Sequence, residues 1–248
     1  MNPWWLALAA ACACVLFVGV DVCRPEFRAG LWRDGTRARR NGAYLLANIA
    51  TLAILSGLNR ALEARLPSAF SWEPSGSVVE VAACLLVAEL MNWLSHWIKH
   101  KVPWLWTFHV QHHVSRRYDT TLVLHTHGLE VIVSGVLMSV ILLLCGFSRF
   151  SVDVFALVYA ITNLYKHQSA RLGLGFLDAL IVSPAYHRVH HARGHSGNYG
   201  SVLTVFDILF GTAIWPQQKG EDVFRLAVGV EGQSEGSFVD EMLLPWRH

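Results

Sequence analysis

Apolar and polar positions alternate in long blocks along this chain of 248 residues. Five apolar runs stand out: Trp4–Val22, Tyr44–Leu58, Ser77–Ile98, Leu129–Phe147 and Phe150–Tyr165. A helix needs about 20 apolar residues to cross a bilayer core roughly 30 Å thick. The second and fifth runs are short and, at about 1.5 Å per residue, cover only part of that core. The pattern predicts an all-α integral membrane helical bundle of about four to five spans or half-spans. Residues 1–76 would hold N-terminal membrane helices and a basic loop, and residues 77–216 the chemistry. Residues 217–248 form a polar, glycine-containing tail, expected to pack loosely and to carry no chemistry.

Composition sharpens this picture. Hydrophobic residues make up 53% and charged residues 15%, against roughly 25% charged in an ordinary soluble domain. Mean hydropathy is +0.36, which excludes a low-complexity disordered chain. A net charge of +2 is too small for a nucleic-acid binder. The five cysteines form no CxxC and lie mostly inside apolar runs. They read as small apolar residues, not as a disulfide framework, an iron–sulfur site or a cysteine zinc site.

Basic residues set the orientation. Arg24, Arg28, Arg33, Arg37, Arg39 and Arg40 fall between the first two runs, whereas Arg60 and Arg65, with Glu63 and Glu73, fall between the second and third. The first loop is therefore expected to be cytoplasmic, with the same charges attracting anionic headgroups. Residues 96–128 and 166–248 then share that side; the basic loops suit a bacterial inner membrane or an endoplasmic reticulum, and the bacterial membrane is the expectation. Trp4, Trp5, Trp93, Trp97, Trp104 and Trp106 lie near span ends and read as an aromatic belt. The opening Met-Asn-Pro-Trp-Trp lacks the basic stretch of a cleaved leader, so the first run is expected to stay as a helix.

The thirteen histidines are concentrated, with none before residue 96 and twelve between His96 and His195. His96 and His100 are spaced i, i+4. His109-Val-Gln-His112-His113 and His187-Arg-Val-His190-His191 repeat an HxxHH spacing. Each set falls on one face of a helix. Eight imidazoles near lipid need partners, and imidazole suits zinc, copper, iron and nickel alike. Eight ligands exceed one tetrahedral site and fit two adjacent metals. The Glu/Glu-x-x-His pattern of soluble di-iron bundles is absent.

HxxxH, HxxHH and HxxHH in this order resemble the fatty acid hydroxylase/sterol desaturase superfamily of membrane di-iron oxygenases. The surrounding text is also similar: His100-Lys-Val-Pro-Trp-Leu-Trp, Asn198-Tyr-Gly and Phe206-Asp-Ile-Leu-Phe-Gly-Thr212. The resemblance covers residues 85–215. It adds His127, in His127-Gly-Leu-Glu130, and His167 to the ligands, each with an outer, non-ligating role as the alternative. The implied set is His96, His100, His109, His112, His113, His127, His167, His187, His190 and His191. No catalytic residue is implied beyond these ligands. Three departures stand out: Gly128 replaces a usual proline, His125 a frequent arginine, and Phe206 a tryptophan.

Around the ligands, Glu89, Glu130 and Asp207 are candidate acceptors for the second ring N–H of a ligating histidine. For Asp207 the alternative is a segment cap. Asn198-Tyr-Gly reads as a turn, with Gly200 supplying the permissive backbone. His125 is either an added ligand or a group facing the substrate, and His195 at most borders the site. The resemblance implies two iron ions, dioxygen as co-substrate and a membrane lipid substrate. It also implies an external electron donor of cytochrome or ferredoxin type. The outcome would be a hydroxyl or a double bond. A zinc-dependent membrane hydrolase, a non-enzymatic metal-binding or transport protein, and a degenerate structural relative are the competing classes. HExxH is absent, which counts against a zinc protease. Histidines flanking the spans on one side count against a transport path. The lipid and the oligomeric state are not legible.

Overall fold

The computed structural model describes residues 4–24, 27, 35–65, 77–219 and 222–247. Among these residues there are nine α-helices, five short 3₁₀ turns and no strand; Ile181–Leu203 and Ala192–Val228 pair as isolated bridges. The helices are α1 (Trp4–Val22), α2 (Gly35–Glu63), α3 (Val78–Lys101), α4 (Pro103–His113), α5 (Gly128–Leu144) and α6 (Arg149–Lys166). The short α7 (Pro184–His191), α8 (Val205–Leu209) and α9 (Phe238–Met242) complete the set.

The helix boundaries follow local chemistry. Ser77 accepts a hydrogen bond from Glu80 N at 3.2 Å and caps α3. Ser148 and Ser183 cap α6 and α7 in the same way, satisfying N–H groups that the first turn leaves free. Lys99, His100 and Lys101 close α3 where the helix dipole favours positive charge. Pro103 then starts α4 at a position that needs no N–H.

Two helices, α2 and α3, are long and apolar enough to cross a membrane. The apolar helices α1 and α5 hold 19 and 17 residues. The run expected over Tyr44–Leu58 is part of a helix of 29 residues, because the arginine-rich stretch before it is helical too. Val15, Leu46, Ile49, Val133 and Leu137 all point outward, the reverse of a soluble core and suited to hydrocarbon. These features associate the chain with a membrane.

Close packing has a visible cause on α5. A Cβ at Gly128 would meet Thr51 Oγ1 at 2.9 Å, and one at Gly135 would meet Leu55 Cδ2 at 2.5 Å. The two glycines lie two turns apart on one face, so α2 approaches α5 closely along that face. This accounts for glycine where the family's proline usually stands, since proline also carries a Cβ. Deeper in the bundle, Cys84 and Ala88 of α3, Leu142 of α5, Phe147 just beyond that helix, and Phe155 of α6 form a core.

Two expectations change. Arg37 and Arg40 are buried in α2 and ion-paired, Arg37 with Asp119 and Arg40 with Glu241 at 3.2 Å and Glu235 at 3.1 Å. They hold the fold together instead of standing free for headgroups. Arg28, Arg33 and Glu73 lie outside the described residues. The tail is not loose over its last part: Glu241 of α9 is buried and also accepts from Tyr44 Oη at 2.6 Å.

Candidate metal centre

Nine of the ten expected ligands converge. One ring nitrogen from each of His96, His100, His109, His113 and His190 lies within 4.8 Å of the others. His112, His167, His187 and His191 form a second group by the same measure. The first group is brought together by the ends of α3, α4 and α7, the second by α4, α7 and the residue ending α6. The i, i+3 and i+4 spacings do this in each helix by stacking rings on one face. On α4 and α7 the adjacent histidine pairs split between the two groups, so each short helix serves both.

The donor set fits metal. His190 Nε2 lies 3.2 Å from His113 Nε2, and His167 Nε2 lies 3.2 Å from His112 Nε2 and 3.1 Å from His187 Nε2. Two nitrogens bound to one ion at roughly 2.0–2.1 Å sit about 3.0–3.4 Å apart. The opposite ring nitrogens are held by acceptors. His96 Nδ1–H donates to Tyr199 O at 2.9 Å, His109 to Glu130 Oε1 at 2.9 Å and His190 to Gly197 O at 2.7 Å. His112 donates to Leu122 O at 3.2 Å and His167 to Asn163 O at 2.7 Å. Each bond fixes the tautomer that leaves Nε2 as a lone pair. The Nε2 atoms of His96, His100 and His109 are buried with no protein partner, as a ligand position requires.

Burial also sets the charge. It holds the imidazoles of His112, His113, His187 and His191 well below the usual histidine range, with neighbouring rings adding to the effect. His167 and His190 are pushed down to about 3, mainly by burial. The cluster is therefore neutral at ordinary pH, the form that binds metal.

Other expected site residues fall in different places. His127 caps α5: its Nδ1 accepts from Leu129 N and its Nε2–H donates to Met242 O, both at 3.2 Å. Both nitrogens are thus used away from the two groups. His125 stacks on Tyr44 at 4.7 Å between centroids and meets Asn41 Oδ1 at 2.8 Å, on the α2 side. His195 Nδ1–H donates to Arg193 O in a partly exposed loop. Of the three carboxylates, Glu130 alone reaches a clustered histidine. Its Oε1 also accepts from Lys99 Nζ at 2.7 Å.

Glu89 and Asp207 act one layer further out. Glu89 accepts from the backbone N–H groups of Ser201, Val202 and Leu203. Asp207 accepts from Trp93 Nε1, Tyr186 Oη, Tyr199 N, Gly200 N and Thr212 Oγ1. Together they fix the loop whose Tyr199 carbonyl holds His96. Asp207 is not the cap of α8, which begins after Thr204. The left-handed residue of this loop is Asn198, at φ 58°, not Gly200. Asn198 bonds Tyr186 O and Ile214 O through Nδ2 and Ile214 N through Oδ1. Gly200 is required for space: a Cβ there would meet Leu203 O at 2.3 Å.

Several contributors carry no signature in the sequence. The acceptors at Tyr199, Gly197, Leu122 and Asn163 are backbone carbonyls, which any residue supplies. Trp106, expected in the aromatic belt, packs on His100 and His113 at 4.9 and 5.3 Å. Trp93 is buried and bonded to Asp207. Lys166 is a buried lysine beside His167, with Nζ donating to Ser201 O at 3.3 Å; its place next to a clustered histidine was the available signal.

A chamber of about 400 Å³ opens beside the histidines, touching His96, His109, His112 and His187 and walled by Leu55, Val123, Phe155 and Tyr159. A helical bundle with two groups of neutral histidines meeting at such a chamber defines a class of proteins with a histidine-rich candidate metal site. Within that class the assignment is specific: the fatty acid hydroxylase family pattern matches residues 81–212, more than half of the chain, and the chain belongs to that family. An alkylglycerol monooxygenase of Homo sapiens is 31% identical over 121 residues, 47% of this chain and 26% of that protein. An ornithine lipid hydroxylase of Rhizobium tropici is 27% identical over 174 residues, 67% of this chain and 50% of its own length. A cholesterol 25-hydroxylase-like protein of Danio rerio is 31% identical over 143 residues, covering 54% and 55%. The match thus spans about a quarter to about half of these relatives. No solved structure matches.

Proposed function

We propose that this chain is a membrane-bound oxygenase that holds two iron ions. It would use dioxygen and external electrons to hydroxylate or desaturate a C–H bond of a lipid. One observation carries the reading: two adjacent groups of five and four buried imidazoles beside a largely apolar chamber. Iron bound there supplies the oxidising power to break an unactivated C–H bond, which no amino-acid side chain offers. His96, His100, His109, His113 and His190 would hold one ion, and His112, His167, His187 and His191 the other. The chain's own work is positional. The carbonyls and Glu130 orient the imidazoles, the apolar walls exclude water, and the chamber sets one carbon of the lipid beside the centre. Electrons come from a cytochrome- or ferredoxin-type partner. The centre faces the cytoplasm in a bacterial inner membrane. Alkylglycerols, ornithine lipids and cholesterol, named for the relatives, are the lipids to test first.

The test is the metal content of detergent-purified protein grown with iron and zinc available. About two irons per chain, with oxygen uptake on chemical reduction, supports the reading. Zinc alone calls for iron reconstitution, which must restore oxygen uptake. A folded protein that takes up no metal overturns it. His109→Ala and His190→Ala should each lower bound metal and abolish oxygen-dependent lipid modification; normal activity in either removes the two-metal assignment.

A further inference from the structure

The metal chamber has a neighbour. A second cavity of about 440 Å³ is an apolar groove that includes Leu94, Ile98, Trp104, Phe108, Val133 and Leu137. Trp104, Val133 and Leu137 are more than half exposed, so the groove opens on the outward, hydrocarbon-suited face of the bundle. Six residues border both cavities: Asn92, Ser95 and Lys99 of α3, and Glu130, Ser134 and Met138 of α5. They are not scattered. The first three are spaced i, i+3, i+7 and the second three i, i+4, i+8, one stripe on each helix. The partition between groove and chamber is the seam along which α3 faces α5.

That seam is tied at both ends. At one end Lys99 Nζ donates to Glu130 Oε1 at 2.7 Å. At the other, Ala88 of α3 and Leu142 of α5 belong to the same buried core. Between the ties, the smallest side chains are Ser95 and Ser134, flanked by the unbranched Met138 and the short Asn92. From Ala88 to Lys99 the helix rises about 16 Å, at 1.5 Å per residue. A flexible chain can cross a short gap lined by serines, whereas a rigid fused-ring body needs the helices to part.

We propose that the seam at Ser95 and Ser134 is the passage by which a single unbranched hydrocarbon chain moves from the bilayer-facing groove to the metal chamber. The Lys99–Glu130 ion pair latches its end. The substrate class is thereby a straight-chain acyl or alkyl lipid. The inference rests on the reading of the chamber as the site of lipid oxidation, but its test does not depend on turnover. Because Glu130 Oε1 also holds His109, the latch and the metal centre share one carboxylate.

The full chain, in phosphatidylcholine nanodiscs, is cross-linked with a straight-chain fatty acid carrying a mid-chain diazirine, and the adducts are mapped by peptide mass spectrometry. The native protein should be labelled both in the groove, at Val133 or Leu137, and in the chamber, at Val123 or Phe155. Ser134→Phe should keep the groove adducts and lose at least tenfold of the chamber adducts, while Ser134→Ala should label as the native protein does. A diazirine-bearing sterol should label only the groove. Thermal unfolding of each sample reports folding. If Ser134→Phe does not fold, Ser95→Leu narrows the same gap from the other helix. The passage is overturned by chamber labelling unchanged in a folded narrowed variant, by failure of both narrowed variants to fold while Ser134→Ala does, or by no chamber labelling of the native protein. Equal access by the sterol overturns the straight-chain class. Chamber labelling in protein that shows no oxygen uptake would leave the passage standing and bring down the oxygenase reading.

Discussion

Glu130 shows how much one atom can carry. Its Oε1 accepts from both His109 Nδ1 and Lys99 Nζ, so the carboxylate orients a clustered histidine and neutralises an ammonium in the wall of an apolar groove. Removing such a partner typically weakens metal binding 10–100-fold. Glu130→Ala should therefore show that loss in a metal titration, with His109 the ligand affected. His127, three residues earlier, should behave differently. Its nitrogens are committed to Leu129 N and Met242 O, so His127→Ala should keep full metal content. It should lose about 1 kcal/mol of stability, the usual worth of a helix cap, in a thermal or denaturant melt. A metal content halved by His127→Ala would restore it to the ligand set. The contrast also explains what the sequence makes legible at this scale. Spacing within a helix reveals a shared face, and the three histidine boxes converge because of it. His127 stands before a helix, where a polar side chain can instead turn back to the backbone. Nothing in a lone His-Gly-Leu-Glu string decides between the two uses.

At the scale of elements, the short α7 and the loop after it build one wall of the histidine cluster. Glu89, remote in sequence, and Asp207, a few residues further on, hold this loop. Asp207 accepts five hydrogen bonds while fully buried. Asp207→Ala would leave those donors in a dry interior, at a cost on the order of 3–5 kcal/mol. It should lower the melting temperature and, through Tyr199 O and His96, the metal content as well. Loss of neither would mean that the loop is held by other contacts. The sequence offers Asp207 as a histidine partner or a cap; the structure uses it as neither, because a string of letters does not say which distant N–H groups arrive at a buried carboxylate. The ends of α6 and α7 carry a pH dependence. His167 and His190 titrate near 3 when folded and near 6.5 when unfolded. Between those values the unfolded chain binds more protons, so stability rises with pH in that window. Chelator-treated protein should keep a constant melting temperature above about pH 7 and lose it progressively as the pH falls from about 6.5. A melting temperature flat from pH 8 to 5 would contradict the buried, neutral cluster.

Across the whole molecule, segments far apart in sequence meet, with the first turns of α2 held against α9. Helix periodicity and apolar length predict α1, α3, α5 and α6 closely, since each is a local property of its own segment. The partners of α2 are not local. Arg37 and Arg40 read as a topology signal, yet Arg40 reaches Glu241 and Glu235, some two hundred residues away, and Tyr44 donates to the same Glu241. This clamp seats α9, whose Met242 carbonyl receives His127, and brings Trp246 to the wall of the apolar groove. The tail thus helps shape the apolar groove and lies apart from the two histidine groups. Glu241→Ala should cost roughly 3 kcal/mol, because a buried guanidinium loses its closest buried partner. A buried ion pair, however, is often no better than an apolar pair of similar size. The double replacement Arg40→Met with Glu241→Leu should therefore recover much of the stability that either single change loses. All of these variants should retain their metal, since neither residue meets the histidine groups. Thermal melts with metal analysis of the native protein, Arg40→Met, Glu241→Leu and the double variant, with Glu241→Ala beside them, read this directly. Additive losses in the double variant would show that Arg40 and Glu241 stabilise the fold independently, and metal loss in Glu241→Ala would tie the tail to the centre itself.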